Sequence, residues 1–190
     1  MFIVKKKYFL LIESIKDINL KNIKIRNKFF IIYRKKNKND QLRDLSIFRK
    51  ECEQKGIKFY VANDLKLAIL LCSDGIYLSS YNKDLRFLNY KKKNFDIIGS
   101  AHNFKEISTK IKQGCNSILF SKLFLVDYDK KSPILGVIKF NRYSKIYSQL
   151  IPLGGIKCNN LQQLNIVYSQ GLALLSEIKK KPTKIISRLF

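Results

Sequence analysis

Two adjacent polar residues, Asn63 and Asp64, carry the most informative chemistry of this sequence. They follow the apolar run Phe59–Ala62 and precede a short stretch with helical spacing, Leu65–Cys72, after which a second apolar run begins at Gly75. A strand, a polar pair, a helix and a second strand form one unit of a repeating β/α fold, in which the loops after the strands carry the functional residues. A carboxylate beside an amide suits a metal-bound phosphate there. The pair also suits the N-cap of the following helix, and the two roles are compatible.

A second set of residues suits an anionic ligand. Arg34 and Lys36 alternate along the chain after an earlier apolar run, so both point to one side of an extended segment and can clamp a diphosphate. Gly154 and Gly155 close another run, where glycine lets backbone N–H groups approach an anion closely. Ser176 follows the last run, and phosphate sites in β/α barrels are often built from the last two such loops. A solvated basic stretch and a tight turn are the structural alternatives.

Eight apolar runs predict the strands that position these residues. Most of them are continuous, as expected for strands covered on both faces. Segments with helical spacing lie between them: Gln41–Lys55, which ends before Gly56, Asn103–Gln113 and Asn160–Tyr168. The predicted strands are Tyr8–Ile12, Phe29–Tyr33, Ile57–Val61, Gly75–Leu78, Phe95–Gly99, Ser117–Phe120, Leu150–Gly154 and Gly171–Leu175.

This alternation predicts an α/β fold with parallel strands and right-handed crossovers. Eight units close naturally into a compact (β/α)₈ TIM barrel, which we expect to span residues 1–190 as a single domain. The alternative, an open doubly wound sheet, would need a glycine-rich turn after the first strand, and Glu13–Lys16 contains no glycine. In a barrel, the polar groups that follow the strands converge on one rim.

The charge of the chain bears on its partners. The net charge is +24 and the isoelectric point is about 10.0, which taken alone predicts a polyanionic ligand. Only seven of the 38 basic residues are Arg, however, and proteins that read base edges rely on Arg for bidentate contacts. The lysines are also spread along the chain. The composition therefore disfavours nucleic acid as the main ligand, and a basic nucleic-acid-binding protein is kept as an alternative.

Cysteine and histidine usage disfavours a zinc site and a disulfide scaffold. His102 follows a predicted strand, where capping or packing fits it better than general-base catalysis without a positioned partner. The apolar run Tyr8–Ile12 is too short for a secretory signal or a membrane span, so we expect a cytoplasmic protein without membrane association. The four cysteines form no CxxC pair and predict isolated buried thiols: Cys52, Cys72, Cys115 and Cys158.

Five motifs occur in order at the spacing of a barrel. They read IYRKK at 32–36, ND at 63–64 with SDGIYLSS at 73–80, IIGSAH at 97–102, GGI at 154–156 and GLALLS at 171–176. From Tyr8 to about Ile178 the chain thereby resembles the thiamine phosphate synthase family and its relative, the thiazole tautomerase TenI. Members of that family carry QxRxK, ND followed by ADGVHLGQ, IIGxSxH, GGI and GVAVxS.

The resemblance implies a (β/α)₈ barrel enzyme of thiamine biosynthesis. Such an enzyme joins a hydroxymethylpyrimidine diphosphate to a thiazole phosphate and releases diphosphate with the help of Mg²⁺. Its partners are therefore small-molecule phosphate esters, and Arg34 and Lys36 would be its catalytic cations. Matched position by position, the resemblance implies the diphosphate as the ligand of Arg34, Lys36 and Asn63, Mg²⁺ as that of Asp64 and Asn82, and the thiazole phosphate as that of Gly155 and Ser176.

The sequence departs from the family pattern at several of these positions. Ile32 replaces the glutamine of the first motif, Asn82 replaces a metal-binding aspartate, and Ala101 replaces a serine that binds diphosphate. The family loop GPxFPTxTK reads SKLFLVDYD at 121–129, without its threonines and lysine in register. Two hypotheses stay open: an active transferase, and a catalytically eroded or repurposed barrel that binds a phosphate ligand.

Overall fold

Eight parallel strands form the frame of the molecule. A computed structural model describes residues 5–25, 27–35, 40–91, 95–127, 129, 131, 133–180, 182–187 and 189. Within these residues the strands pair in chain order and close into a barrel, which confirms the predicted (β/α)₈ architecture and excludes the open sheet. The strands are β1 (Lys7–Ile12), β2 (Phe29–Tyr33), β3 (Lys58–Ala62), β4 (Gly75–Leu78), β5 (Asp96–Ala101), β6 (Ser117–Ser121), β7 (Leu150–Leu153) and β8 (Gly171–Leu174).

Helices cover the strands on the outside of the barrel. Across the described ranges, no helix has the length and apolar character needed to cross a membrane. The α-helices are α1 (Leu42–Gln54), α2 (Leu65–Leu70), α3 (Leu88–Lys91), α4 (Phe104–Lys112), α5 (Gly136–Ile146), α6 (Ser176–Lys180) and α7 (Pro182–Ser187). Short 3₁₀ helices lie at Ile15–Asp17, Leu20–Asn22, Leu85–Phe87 and Leu161–Ile166.

Capping side chains explain why one predicted α-helix forms and another does not. Asn103 accepts the Glu106 N–H with its side chain at 2.9 Å, and α4 begins there as expected. Asn160 makes no such cap, because its side chain binds the Lys157 N–H and the Gly155 carbonyl instead. The segment predicted as a helix at 160–168 is accordingly a 3₁₀ helix of six residues.

The expectation of four buried thiols is wrong for half of them. Cys52 and Cys115 are buried, and burial raises the pKa of the Cys52 thiol to about 12. Cys158 is only partly buried, and Cys72 is exposed. Cys72 has a left-handed φ of 46° just after α2, where the chain turns at the surface.

Side-chain alternation along the strands separates two apolar layers. Outward residues pack against the helices, and inward residues fill the barrel. The inward rings of Phe9 and Phe30 lie 4.7 Å apart near the N-terminal ends of the strands. The hydroxyl of Tyr60 donates to the Asp96 carboxylate at 2.7 Å, which satisfies it inside this packed half.

The inward positions become smaller or polar toward the C-terminal ends of the strands. Because rings are replaced by short side chains there, the mouth of the barrel stays open. Arg34 keeps the inward alternation of Phe30 and Ile32, so it enters this mouth from above β2. The short inward residues at this level are Ala62, Ser79, Ser100, Ser121 and Ala173.

Gly75 begins β4 where the neighbouring strand lies against its Cα. An added Cβ would be 2.0 Å from the Asp96 carbonyl oxygen. Gly75→Ala should therefore lower the free energy of unfolding by about 3 kcal/mol, as measured by urea denaturation. Gly136→Ala is the matched control, because its Cβ meets nothing within 4 Å and costs about 1–2 kcal/mol through its positive φ alone. Equal losses in the two variants would contradict this account.

Candidate active site

A cavity of about 220 Å³ opens among the loops at the C-terminal ends of the strands. Four of the predicted site residues line it: Arg34, Gly154, Gly155 and Ser176. Its remaining lining is mixed, with the apolar floor formed by β8 and a polar wall formed by β4, β5 and β6. That polar wall consists of Tyr77, Ser79, Ser80, Tyr81, Ser100, His102, Ser121 and Lys122.

Arg34 is a cation at the boundary between this cavity and a second hollow of about 230 Å³. The acidic Glu13 lines the second hollow with it, together with Lys35, Ala62, Asn63, Ser79 and Tyr81. No salt bridge joins Arg34 to a carboxylate in the described part of the chain, so its guanidinium is available to an anion. Lys36, its predicted partner in a diphosphate clamp, lies outside the described residues.

The Asn63 side chain hydrogen-bonds to three residues of the loop after β4 and so forms the hub of this part of the rim. Its φ of 57° is left-handed, a conformation that Asn tolerates better than most residues. Its Oδ1 accepts the N–H and the hydroxyl of Ser79, both at 3.1 Å, and the Nδ2 of Asn82 at 3.3 Å. Its Nδ2 donates to the Tyr81 hydroxyl at 3.2 Å. An amide has two N–H donors, so one of them remains for a ligand oxygen.

Asp64 fills the N-cap role predicted for it. Its Oδ1 accepts the Leu67 N–H at 2.9 Å at the start of α2, and the residue is exposed. Among the described residues, Oδ2 has no hydrogen-bond partner. One carboxylate oxygen is therefore available to a cation without loss of the cap.

The Asn82 side chain donates its Nδ2 hydrogen to Asn63 Oδ1. Its Oδ1 accepts the Asp84 N–H at 3.0 Å, which leaves one lone pair of this neutral oxygen for a cation. The described residues contain no group of three or more His, Cys, Asp or Glu that could hold a metal ion. Mg²⁺ in proteins is usually held by one or two carboxylates together with substrate phosphates and water. Asp64 offers one carboxylate oxygen to such an ion, and neither Asp64 nor Asn82 lines the cavity or the second hollow.

A buried ammonium group fixes the same rim from below. The side chain of Lys110, in α4, is fully buried. Its Nζ donates to the carbonyl oxygens of Ser79 at 2.7 Å and Asn82 at 2.6 Å and to Gln113 Oε1 at 2.9 Å. Burial lowers the pKa of Lys110 to about 8, so at neutral pH its three N–H donors still match these three acceptors.

Gly154 and Gly155 bring the loops after β6 and β7 together. The Gly154 carbonyl accepts the Phe124 N–H at 3.0 Å. A Cβ on Gly155, at φ 69°, would be 2.5 Å from the backbone of Phe124 and Leu125, so this glycine is needed for close packing of the two loops. Its N–H and that of Ile156 have no acceptor among the described residues, and both residues line the cavity. The tight turn and the anion site are therefore compatible here.

Ion pairs occupy the basic side of the cavity. Lys122 pairs with Asp129, and Asp127 pairs with both Lys157 and Lys180. Hydrogen bonds from these two lysines lower the pKa of the Asp127 carboxyl to about 2, so it is ionised at neutral pH. The cavity lining thus has three cations, Arg34, Lys122 and Lys157, and one described carboxylate.

His102 has the positioned partner that the sequence does not show. The Glu106 carboxylate accepts the His102 N–H at 2.7 Å and lies 3.1 Å from its Nδ1. His102 continues the inward alternation of Ile98 and Ser100 and lines the cavity. A histidine oriented by a carboxylate can donate to a ligand oxygen. Next to it, burial raises the pKa of Tyr77, which keeps this phenol protonated.

Sequence reasoning finds the cavity residues that stand in motifs and misses those that act through contacts. Arg34, Gly154, Gly155 and Ser176 line one cavity, whereas Asn63 lines the adjoining hollow. Ser79 and Ser100 directly follow predicted strands and so belong to the polar groups expected on the rim, and extending the inward alternation past the predicted sixth strand would also have found Ser121. No sequence signal marks the functional residues that the motifs leave out: Lys110, Tyr81, Lys122, Asp127 and Lys157.

The sequence of this chain is similar to those of known proteins over most of its length. The family model for thiamine monophosphate synthase matches residues 2–178. A thiamine-phosphate synthase of Prochlorococcus marinus (strain AS9601) is 30% identical over 176 residues, which cover 88% of this chain and 48% of that protein. A thiamine-phosphate synthase of Geobacillus thermodenitrificans (strain NG80-2) is 25% identical over 134 residues, which cover 69% of this chain and 61% of that protein. The chain thus spans about half to three-fifths of the length of these relatives.

Solved structures share the fold at lower identity. Thiamine phosphate pyrophosphorylase from Pyrococcus furiosus superposes with a TM-score of 0.72 at 16% identity, covering 97% of this chain and 95% of that one. The 3-keto-L-gulonate-6-phosphate decarboxylase of Vibrio cholerae superposes with a TM-score of 0.65 at 11% identity, covering 98% and 99% of the two chains. Identities this low show the fold alone.

The role of Lys110 can be tested by keeping its stem and removing its charge. Lys110→Met should lower the free energy of unfolding by about 2–3 kcal/mol, because hydrogen bonds to a charged group are lost from a buried loop. Urea denaturation measures this. Lys112→Met is the control, because Lys112 is exposed on the same helix, and its change should stay within about 0.5 kcal/mol. A loss of that small size for Lys110→Met would contradict the role.

The same pair of proteins gives a pH test. Between pH of about 8 and 10.5 the unfolded chain still binds a proton that folded Lys110 has released. The unfolding free energy of the wild type should therefore rise with pH across this window relative to Lys110→Met. The difference between the two proteins should be constant below the window and grow within it. A difference that shrinks as the pH rises would show that the pKa of Lys110 is not lowered.

Proposed function

The chain belongs to the thiamine monophosphate synthase family, and we propose that it joins a hydroxymethylpyrimidine diphosphate to a thiazole phosphate with release of diphosphate. The observation that supports the proposal is one cavity that offers donors for two anions, here called its diphosphate end and its phosphate end. Arg34, without an acidic partner among the described residues, stands at one end. The open N–H groups of Gly155 and Ile156 and the Ser176 position stand at the other. A substrate pair with a diphosphate and a phosphate matches this separation of charge.

We assign the diphosphate to Arg34 and the free amide N–H of Asn63, and, on the family motif alone, to Lys36. Departure of diphosphate breaks the bond between its oxygen and the methylene carbon of the pyrimidine. Negative charge then grows on the leaving oxygen, and fixed cations that meet this charge lower the barrier. Arg34 is held for this role, because its backbone N–H donates to the Ile12 carbonyl at 2.8 Å and its side chain follows the inward alternation of β2.

Asp64 would hold Mg²⁺ at the same end through the carboxylate oxygen that the helix cap leaves free. When bound, the ion supplies further charge neutralisation for the diphosphate. Asn82 then acts indirectly, since its Nδ2 holds the hub oxygen of Asn63. With a single protein carboxylate, the ion must take most of its ligands from the diphosphate and water, so we expect a requirement for a high Mg²⁺ concentration.

The thiazole phosphate would lie at the other end, against Gly154, Gly155 and Ser176. Backbone N–H groups at glycine turns bind phosphate oxygens well, because no side chain blocks their approach. Placed there, the ring nitrogen of the thiazole can take the position that diphosphate leaves on the pyrimidine's methylene carbon. The packed lower half of the barrel keeps the reacting atoms at the mouth.

A phosphate-binding barrel without catalysis is the second candidate. The observation that favours it is the loop after β6, in which Asp127 and Asp129 neutralise the lysines of the cavity wall. The presence of Ala101 at the position of a diphosphate-binding serine also favours this second candidate. Such a protein would bind phosphate esters and release no diphosphate.

Two charge-removing variants test the synthase proposal. Arg34→Gln should lower the rate of diphosphate release by about 100-fold, because a fixed cation at the leaving group is lost. Asp64→Asn should remove the activity while keeping the helix cap, since Asn caps as well as Asp does. The measurement is diphosphate release from the two substrates across a Mg²⁺ titration. Arg43→Gln and Asp44→Asn, exposed on α1, are the matched controls and should retain wild-type rates.

The outcomes separate the two candidates. Loss of activity in both site variants and in neither control supports the synthase. If the wild type releases no diphosphate at any Mg²⁺ concentration and yet binds phosphate esters by calorimetry, the synthase proposal fails and the phosphate-binding barrel replaces it.

A further inference from the structure

One carboxylate is held by two lysines at the edge of the phosphate end of the cavity. Asp127 Oδ1 accepts from Lys157 Nζ at 2.5 Å, and Oδ2 accepts from Lys180 Nζ at 2.9 Å. The two lysines come from different places, one from the loop after β7 and the other from the end of α6 after β8. They meet only because the barrel brings these segments together. Their common partner is a group with the charge and the oxygen spacing of a bound anion.

The position of this carboxylate coincides with the glycine turn. Asp127 and Lys157 line the same cavity as Gly155 and Ser176, whereas Lys180 lies outside the lining and contacts Asp127 from there. Lys157 is two residues after Gly155, whose N–H has no acceptor among the described residues. A phosphate at that N–H would therefore have an ammonium group within reach of a second of its oxygens. The arrangement has the two kinds of donor that phosphate sites combine, backbone N–H groups and cations.

The bonds that hold Asp127 are replaceable. The side chains of Asp127 and Lys180 are about half exposed, at 49% and 56%, and exposed ion pairs contribute little net stability. Two lysines face the Asp127 carboxylate, and the Glu177 carboxylate at the start of α6 also acts on Lys180. A phosphate dianion with three terminal oxygens pairs with such a cluster better than a carboxylate does.

Protonation does not release the site. Because the lysines keep the pKa of Asp127 at about 2, the carboxyl stays ionised throughout the physiological range. A competing anion is therefore what can free Lys157 and Lys180. Rotation of the Asp127 side chain is sufficient for this exchange.

We propose that Lys157 and Lys180 bind the phosphate group of the ligand, and that Asp127 occupies them in its absence as an internal competitor. The inference deepens the proposed function, because it rests on the phosphate end of the same cavity. It adds a specificity element that the family motifs do not contain: a site that opens to a phosphate ester and stays closed to weaker anions.

Binding of inorganic phosphate to the full chain, measured by calorimetry at fixed ionic strength, tests the proposal. Asp127→Asn should bind phosphate about fivefold more tightly than the wild type, because its two partly exposed ion pairs, each of small net stability, are removed together. Lys157→Gln should bind it several-fold more weakly. Glu53→Gln is the matched control, since it also removes one negative charge and an exposed ion pair, to Arg49 on α1, away from the cavity. It should bind phosphate as the wild type does.

The double variant Asp127→Asn with Lys157→Gln checks the mechanism. The gain from Asp127→Asn should shrink in it, because Lys157 is gone, and should disappear when Lys180→Gln is added as well, because Asp127 then blocks no remaining lysine. An unchanged affinity in Asp127→Asn, an equal gain in Glu53→Gln, an undiminished gain in the double variant, or a gain that persists in the triple variant would each overturn the proposal. The readout is separate from catalysis. A fivefold gain without any release of diphosphate would leave this inference standing and remove the synthase proposal.

Discussion

A buried ammonium group holds the working rim of this barrel together. Lys110 in α4 binds carbonyl oxygens of the loop after β4, and through Asn82 that loop reaches the amide of Asn63 after β3. Three successive β/α units are thus fixed by one charge. Its stem fits because Gly99 has no side chain, since a Cβ there would lie 2.8 Å from Lys110 Cδ. The orientation of the predicted diphosphate end therefore depends on a residue that does not line the cavity.

Much of the frame is predictable from the sequence, for a physical reason. Parallel strands covered on both faces are continuous apolar runs, and the bounds of β2 and β4 agree with the prediction to the residue. Helices α1 and α4 show the spacing of a buried face. Helix α5 escapes prediction because its apolar residues are not confined to one face: Ile138 and Ile146 are 75% and 70% exposed. Periodicity reports a helix only when burial is one-sided.

The sequence predicts only those residues of the site that belong to local motifs. Arg34, Gly155 and Ser176 follow strand ends, and the barrel topology carries them to one cavity. Lys110 has the sequence context of a solvated lysine, because two of its three acceptors are backbone oxygens that leave no trace in the residue types. Asp127 likewise gains its meaning from lysines 30 and 53 residues away. Such contacts are set by tertiary closure, which no short-range pattern encodes.

The ion pairs of Asp127 with Lys157 and Lys180 also lie across the shortest strand pairing of the barrel. Strands β7 and β8 share one register pair, Leu153 with Ala173, whereas the other neighbouring strands share three to five. Asp127 spans this seam, because its two lysines follow the two strands that meet there. A phosphate bound in its place would join the same two segments. Whichever anion the two lysines hold, the segments after β7 and β8 stay joined, so a contact outside the sheet supports the shortest strand pairing of the barrel.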